Sequence, residues 1–158
     1  MDNIKVRKMQ LGDHVGIKKN LFLTMPLEAI EKNVINNTMQ MKEENPSWNY
    51  FVAEIDGEVV GTMYLEFKTR SIDNHIGEIH SVVTGENYRG RGICKKLFET
   101  VCIYAQEKNL NKIILTVRAG SIAETVYQKL GFIKYGELPN GIKDKDIYVN
   151  SVYYYYDL

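Results

Sequence analysis

Residues 76–94 read Ile-Gly-Glu-Ile-His-Ser-Val-Val-Thr-Gly-Glu-Asn-Tyr-Arg-Gly-Arg-Gly-Ile-Cys, and this stretch decides the fold. Its first part, from Ile76 to Thr84, has the β-branched residues and the alternation of a strand. A turn rich in glycine and arginine follows, and a helix is predicted to begin at Ile93. A strand that runs through such a turn into a helix is typical of α/β proteins that bind anions at the helix N-terminus.

The turn has the composition of a phosphate-binding loop. Gly90 and Gly92 let the main chain approach a ligand, because neither carries a Cβ. Arg89 and Arg91 add charge-assisted donors. The unpaired N–H groups of the helix N-terminus add further donors, so several groups can converge on several oxygens. This pattern favours a pyrophosphate over a single carboxylate.

Two nucleotide-binding motifs fit the turn poorly. Residues 85–92 read G-x-x-x-x-G-R-G, but Arg91 replaces the P-loop lysine and Gly92 replaces the hydroxyl that would hold Mg²⁺. A G-x-G-x-x-G motif also starts at Gly90, but Lys95 stands where its last glycine belongs. A phosphate-binding NTPase is therefore disfavoured.

Hydrophobic periodicity predicts the order βααβββαβαββ for the whole chain. The strands are expected at residues 4–9, 50–55, 58–67, 76–84, 113–117, 132–136 and 148–156, and the helices at 14–23, 27–43, 93–108 and 122–130. Strands that alternate with helices in the second half indicate a mixed sheet with covered faces.

Local signals mark the ends of several elements. Asp13 is predicted to cap the first helix, and Asp56-Gly57 is a tight hairpin turn. Gly131 suits the position just after the last helix. Pro139-Asn140-Gly141 is predicted to begin a loop, and Ser121 to cap the helix that starts at Ile122.

Three segments together resemble the GNAT superfamily of N-acetyltransferases. Arg89-x-x-Gly92-x-Cys94 resembles the family's R-x-x-G-x-G/A motif, with cysteine where glycine or alanine is usual. The stretch 79–84 looks like the central strand that leads into that motif, and Tyr127-Gln128-Lys129-Leu130-Gly131-Phe132 looks like its Y-x-K-L-G-F segment. The N-terminal half resembles the family in element order and hairpin only.

The resemblance implies a fold, a co-substrate and a reaction. The fold is α/β (α+β mixed sheet), with a central twisted sheet of about seven strands flanked by about four helices, and residues 1–158 form a single domain. Acetyl-CoA is the co-substrate, and a primary amine of a small molecule or peptide attacks it directly in a ternary complex. The departures at Cys94, Ser121 and Glu124 keep open a non-catalytic acyl-CoA-binding module.

The resemblance also supplies the catalytic candidates. An alkylammonium must lose a proton before it attacks, and Glu78 or His80, two residues apart on the strand, is the candidate base. Histidine changes charge nearest neutral pH, whereas a glutamate needs burial before it serves as such a base. Tyr127 is the candidate acid for the departing thiolate.

The remaining candidates concern the cofactor. Strict alternation would put Val82 on the face of Glu78 and His80. Cys94 lies near a helix N-terminus, which lowers a thiol pKa, but no triad surrounds it and packing is the expected role. The predicted cofactor contacts are Val82, Val83, Thr84, Arg89, Gly90, Arg91, Gly92, Ile93, Cys94, Ser121 and Tyr127.

Composition limits the remaining classes. Lys plus Arg equals Asp plus Glu at 20 each, so bulk charge gives no reason to expect nucleic acid or a membrane surface as a partner. Cys94 and Cys102 are predicted to be free thiols of a cytoplasmic protein, because eight residues of helix hold them apart. No secretory signal, membrane span or metal-ligand spacing is expected, and a homodimer is compatible with the sequence.

Overall fold

A computed structural model describes residues 3–44 and 46–158 of the chain. This described part has seven strands and four α-helices in the predicted order βααβββαβαββ. The strands are β1 (Lys5–Lys8), β2 (Trp48–Ile55), β3 (Glu58–Phe67), β4 (Ile76–Thr84), β5 (Lys112–Arg118), β6 (Ile133–Asp144) and β7 (Ile147–Asp157). The helices are α1 (His14–Asn20), α2 (Leu27–Gln40), α3 (Ile93–Glu107) and α4 (Ile122–Lys129).

All the strands belong to one mixed sheet in the order β1-β2-β3-β4-β5-β7-β6. Neighbouring strands are antiparallel except β4 and β5, which are parallel. Asp56 and Gly57 both have positive φ at the turn between β2 and β3, as the predicted hairpin requires. The mixed sheet expected from the sequence is therefore confirmed.

Two hydrophobic clusters cover the sheet. The smaller cluster packs α1 and α2 through Ile17, Ile30 and Val34. The larger one packs α3 against the central strands through Leu97, Val101 and Ala105, which are four residues apart on one helix face. Burying such a leucine or valine stabilises the fold by ~1.5–3 kcal/mol. Helix α3 is therefore held firmly, and its N-terminus has a fixed place beside the end of β4.

Two local predictions are wrong. The Asp13 side chain does not cap α1, because it accepts two hydrogen bonds from Arg7, at 2.7 and 2.8 Å, and one from the Gln10 amide. Pro139 to Gly141 is not a separate loop but an irregularity inside the long strand β6. Because β6 is the last strand of the sheet order, a proline there costs no central ladder bond.

Met1, Asp2 and Asn45 lie outside the described residues, so the expectation for the extreme N-terminus is not addressed. Across residues 3–44 and 46–158, no helix combines the length and the apolar character needed to cross a bilayer.

Candidate active site

Strands β4 and β5 separate in the middle of the sheet. Their parallel pairing covers only Ile76 to Glu78 opposite Lys112 to Ile114. Beyond Glu78, strand β4 continues to Thr84 along β3 alone. The main-chain groups on the β5 side of this half of β4 are therefore available to a ligand that enters the gap.

A bulge lies at the start of this free half. The pairing of β3 with β4 shifts between Thr62 and Tyr64, and Ser81 has φ 48°. The Thr62 hydroxyl donates to the Ser81 carbonyl at 3.1 Å and holds the irregular backbone. A bulge resets the alternation of side chains. Ser81 is exposed and Val82 packs with the larger cluster, which also contains Ile79, so the predicted strict alternation past His80 is wrong.

A cavity of about 600 Å³ opens where β4 ends, between the glycine-arginine turn and α4. The structure brings together nine of the predicted cofactor residues in its wall: Val82, Val83, Thr84, Arg89, Gly90, Gly92, Ile93, Cys94 and Tyr127. Arg91 and Ser121 are not among the residues that line it. We had not predicted the apolar part of the wall that α4 and its C-cap residue contribute, namely Ile122, Ala123, Val126 and Leu130.

The turn has the backbone conformation that its glycines allow. Gly90 has φ 77° and Gly92 has φ 83°, both in the region that disfavours other residues. A Cβ built on either glycine meets no atom within 4 Å, so both face open space. Helix α3 begins directly afterwards at Ile93, and its first N–H groups have no intrahelical acceptor. The turn can therefore receive an anion close to its main chain.

The two arginines of the turn differ in position. Arg89 lines the cavity and lies 3.8 Å from the Glu86 carboxylate in an exposed ion pair. The Arg91 guanidinium donates to the Asn87 carbonyl at 3.2 Å and lies 5.3 Å from the centre of the Tyr88 ring. Arg89 is therefore the better placed of the two to reach a ligand in the cavity.

Tyr127 brings a buried phenol to the cavity wall. It lies on α4, and its ring meets Phe132 edge-on with centroids 5.7 Å apart. Burial, with a smaller contribution from Cys94, raises the pKa of the Tyr127 hydroxyl. A raised pKa keeps the phenol protonated at neutral pH, which is the form in which it can donate a proton.

Burial also decides the state of Cys94. Burial raises the pKa of the thiol to about 11. This effect outweighs the lowering of the pKa that the sequence suggested from the nearby helix N-terminus. The thiol is therefore neutral near pH 7 and suits a packing role. Cys94 and Cys102 are both free, as predicted.

The two candidate bases form a cluster with a residue that the sequence did not single out. His80 Nε2 lies 3.0 Å from Glu66 Oε2 and 3.9 Å from Glu78 Oε1. Glu78 also forms an ion pair with Lys68, and the His80 ring lies 5.5 Å from that of Tyr64. Glu66 belongs to β3 and pairs with Glu78 in the strand register. Cross-strand pairing was the signal that could have found it.

The cluster also bears on metal binding, for which the sequence gave no ligand spacing. Glu66, Glu78 and His80 each place one ligand-type atom within 4.8 Å of the others. Two of these groups share a hydrogen bond and the third is bound by Lys68. Because these side chains already pair with one another and with Lys68, we assign no metal to the trio.

Ser121 caps α4, the role preferred for it from the sequence. Its hydroxyl accepts from the Glu124 amide at 3.2 Å. The sequence suggested no role for Glu124. In the structure its carboxylate accepts hydrogen bonds from the Gly120 amide at 2.7 Å and from the Tyr154 hydroxyl at 2.8 Å. The S-x-x-E spacing of a capping box was the available signal. These contacts fix the start of the helix that carries Tyr127.

The sequence and the fold both match known proteins. The profile described as Acetyltransferase (GNAT) family matches residues 21–132. "Probable N-acetyltransferase camello" of Xenopus tropicalis is 32% identical over 114 residues, which cover 72% of this chain and 48% of that protein. "Glucosamine 6-phosphate N-acetyltransferase" of Trypanosoma brucei brucei is 26% identical over 129 residues, covering 80% and 85%.

The structure of yncA from Salmonella typhimurium, solved with its cofactor acetyl-CoA, superposes with a TM-score of 0.77 at 12% identity over 98% of this chain and 93% of that one. This likeness concerns the fold alone. Since the family profile spans most of the chain, the chain belongs to the GNAT acetyltransferase family. It spans about half the length of the Xenopus relative.

Proposed function

We propose that this chain is an acetyl-CoA-dependent N-acetyltransferase. It transfers the acetyl group to a primary amine of a small molecule or peptide by direct attack in a ternary complex. Acetyl-CoA supplies the activated thioester, and the protein supplies binding, orientation and proton transfer.

One observation carries the proposal. A single cavity is lined both by an open, glycine-rich turn at a helix N-terminus and by a buried tyrosine, whose phenol is protonated at neutral pH. The first feature suits a diphosphate, and the second suits a leaving group that needs a proton.

The chain's own groups then have separate tasks. Gly90 and Gly92 admit the diphosphate to the N–H groups at the start of α3, and Arg89 adds a charged donor. The free half of β4 offers main-chain groups to the extended part of the cofactor. Tyr127 protonates the thiolate as it leaves, and a base on the other side of β4 takes a proton from the amine.

The test is acetyl transfer by the purified chain across a panel of amines. The panel contains polyamines, amino acids, amino sugars including glucosamine 6-phosphate, and peptides with free N-termini or lysines. CoA release is followed with a thiol reagent, and products are identified by mass spectrometry. We expect release that depends on one class of amine. Tight CoA binding with no transfer to any amine would instead support the acyl-CoA-binding module.

A further inference from the structure

The face of β4 that carries His80 has one hydrogen bond that the reaction outlined above does not use. His80 Nε2 and Glu66 Oε2 are 3.0 Å apart, although the two residues are 14 apart in sequence. Both side chains are partly exposed, with 38% and 41% of their surfaces accessible, so the pair can be reached by an acceptor.

The surroundings of the imidazole are asymmetric. The carboxylates of Glu66 and Glu78 both approach the same ring atom, Nε2, at 3.0 and 3.9 Å. A carboxylate only accepts hydrogen bonds, so the nitrogen that faces it must carry a hydrogen. In the neutral imidazole, the other nitrogen then holds the lone pair.

We propose that Glu66 is a positioning residue that fixes His80 as the Nε2–H tautomer and thereby makes Nδ1 the base for the acceptor amine. The inference rests on the proposed acetyltransferase function. It also chooses between the two candidate bases, because the Glu78 carboxylate is engaged in an ion pair with Lys68.

The proton transfers balance in this arrangement. Nδ1 takes one proton from the ammonium, and the freed nitrogen lone pair forms the C–N bond to the acetyl carbon. The C–S bond breaks, its electron pair leaves on sulfur, and Tyr127 protonates the sulfur. The second proton lost by the amine nitrogen replaces the one that Tyr127 gave. His80 releases its proton to solvent between turnovers.

Among the described residues, the charged and titratable groups near the ring include Glu66 and Tyr64 from β3 and Glu78 from β4. Lys68 pairs with Glu78 and its charge also acts on Glu66, and Tyr135 of β6 lies close enough to interact with Glu78 and Lys68. Of the two carboxylates, that of Glu66 lies nearer to Nε2, at 3.0 Å against 3.9 Å for Glu78.

The kinetic test compares E66Q and E66A with the wild type and with E58Q, a control at an equally accessible glutamate of the same strand that pairs with Lys19 instead. The amide oxygen of E66Q still accepts from Nε2–H, so kcat should fall less than ~3-fold. E66A lacks the acceptor and should lose ~10-fold or more in kcat at unchanged KM for acetyl-CoA. E58Q should match the wild type.

The tautomer itself is measured by nitrogen-15 NMR of the His80 ring at a pH where it is neutral. The expected spectrum is that of Nε2–H in the wild type and E66Q, and a mixture of tautomers in E66A. An Nδ1–H ring in the wild type, wild-type kinetics in E66A, or activity lost with EDTA and restored by Zn²⁺ would each overturn the proposal. The NMR result does not depend on turnover, so it separates this inference from a failure of the proposed function.

Discussion

The sequence predicted the functional residues on one face of β4 better than those on the other. On the side of α3 and α4, the glycine-arginine turn and Tyr127 lie in contiguous motifs. On the other side, the hydrogen bond between Glu66 and His80 joins neighbouring strands close to the bulge. Short motifs predict local backbone geometry. A contact between strands depends instead on their register, which a single bulge can shift.

The two sides also differ in their chemistry. The turn side combines main-chain donors, Arg89 and buried apolar residues, and burial keeps Tyr127 and Cys94 neutral. The opposite side has partly exposed carboxylates around an imidazole. This division suits an anionic cofactor on one side and a cationic acceptor on the other.

The largest expected effect tests the proposed acid, Tyr127, on the turn side. Tyr127→Phe should lower kcat by ~10²-fold or more, because general acid catalysis contributes ~10²–10⁴-fold. The phenyl ring keeps the packing against Phe132, so the CoA dissociation constant should stay within ~3-fold of the wild type. Steady-state kinetics and calorimetric titration with CoA measure the two quantities.

Tyr104→Phe is the matched control, since Tyr104 lies on α3 beside β2 and away from the cavity wall. It should leave kcat unchanged. Wild-type turnover by Tyr127→Phe would show that the leaving thiolate takes its proton from another donor.

The second effect tests whether the turn side is shielded from water. With the pKa of the Cys94 thiol raised to about 11, the reactive thiolate is scarce at pH 8 and becomes abundant only as the pH rises through about 11. Alkylation by iodoacetamide at pH 8 should therefore be ~10²-fold slower than for free cysteine. Mass spectrometry of peptides after timed labelling measures the rate.

The same labelling in denaturant provides the reference, in which Cys94 and Cys102 should both react like free cysteine. Fast labelling of native Cys94 at pH 8 would mean that the wall of the cavity is solvated, and the contrast between the two sides of β4 would weaken.

The third effect separates the two arginines of the turn. Arg89→Ala should weaken CoA binding by ~10-fold, because a charge-assisted contact contributes ~1.5–3 kcal/mol before solvent screening. Arg91→Ala should weaken it less, because its guanidinium donates to Asn87 and lies over Tyr88. Calorimetric titration with CoA at two salt concentrations measures the affinity of each variant. An equal loss of affinity in the two variants would indicate that Arg91 contributes to CoA binding as much as Arg89 does.

The smallest effect concerns Ser121. Ser121→Ala removes the acceptor for the Glu124 amide and should destabilise the fold by ~0.5–2 kcal/mol. CoA affinity should not change, because Ser121 is outside the cavity wall. Denaturant unfolding and CoA titration check the pair of expectations. A large loss of CoA affinity at unchanged stability would restore the cofactor role that the family resemblance implied.

Sequence reasoning succeeded where a structure depends on neighbouring residues. The boundaries of β4 and the hairpin turn at Asp56-Gly57 follow from local conformational preference. The same reasoning failed for Asp13, whose carboxylate is bound by a distant arginine instead of a helix N-terminus. It failed again at Pro139, which lies in β6 at the edge of the sheet. An edge strand tolerates a proline, but no local pattern shows which strand is at the edge.

The candidate site follows the same rule. Much of the cavity wall could be predicted, since nine of its residues lie in the three sequence segments of strand, turn and helix that resemble the family. Glu66 was missed because its partner His80 is reached only through the pairing of β3 with β4. Glu124 was missed although the local S-x-x-E spacing indicated its contact at the start of α4. Its second contact, with the Tyr154 hydroxyl, depends on the placement of β7 and has no local signal.

A crystal structure of the chain with bound CoA tests the central claim most directly. We predict the diphosphate within hydrogen-bond distance of the main-chain N–H groups between Gly90 and Cys94, with the thiol end in the gap between β4 and β5 near Tyr127. A nucleotide bound elsewhere, or a turn closed against protein so that no diphosphate reaches those amides, would contradict it.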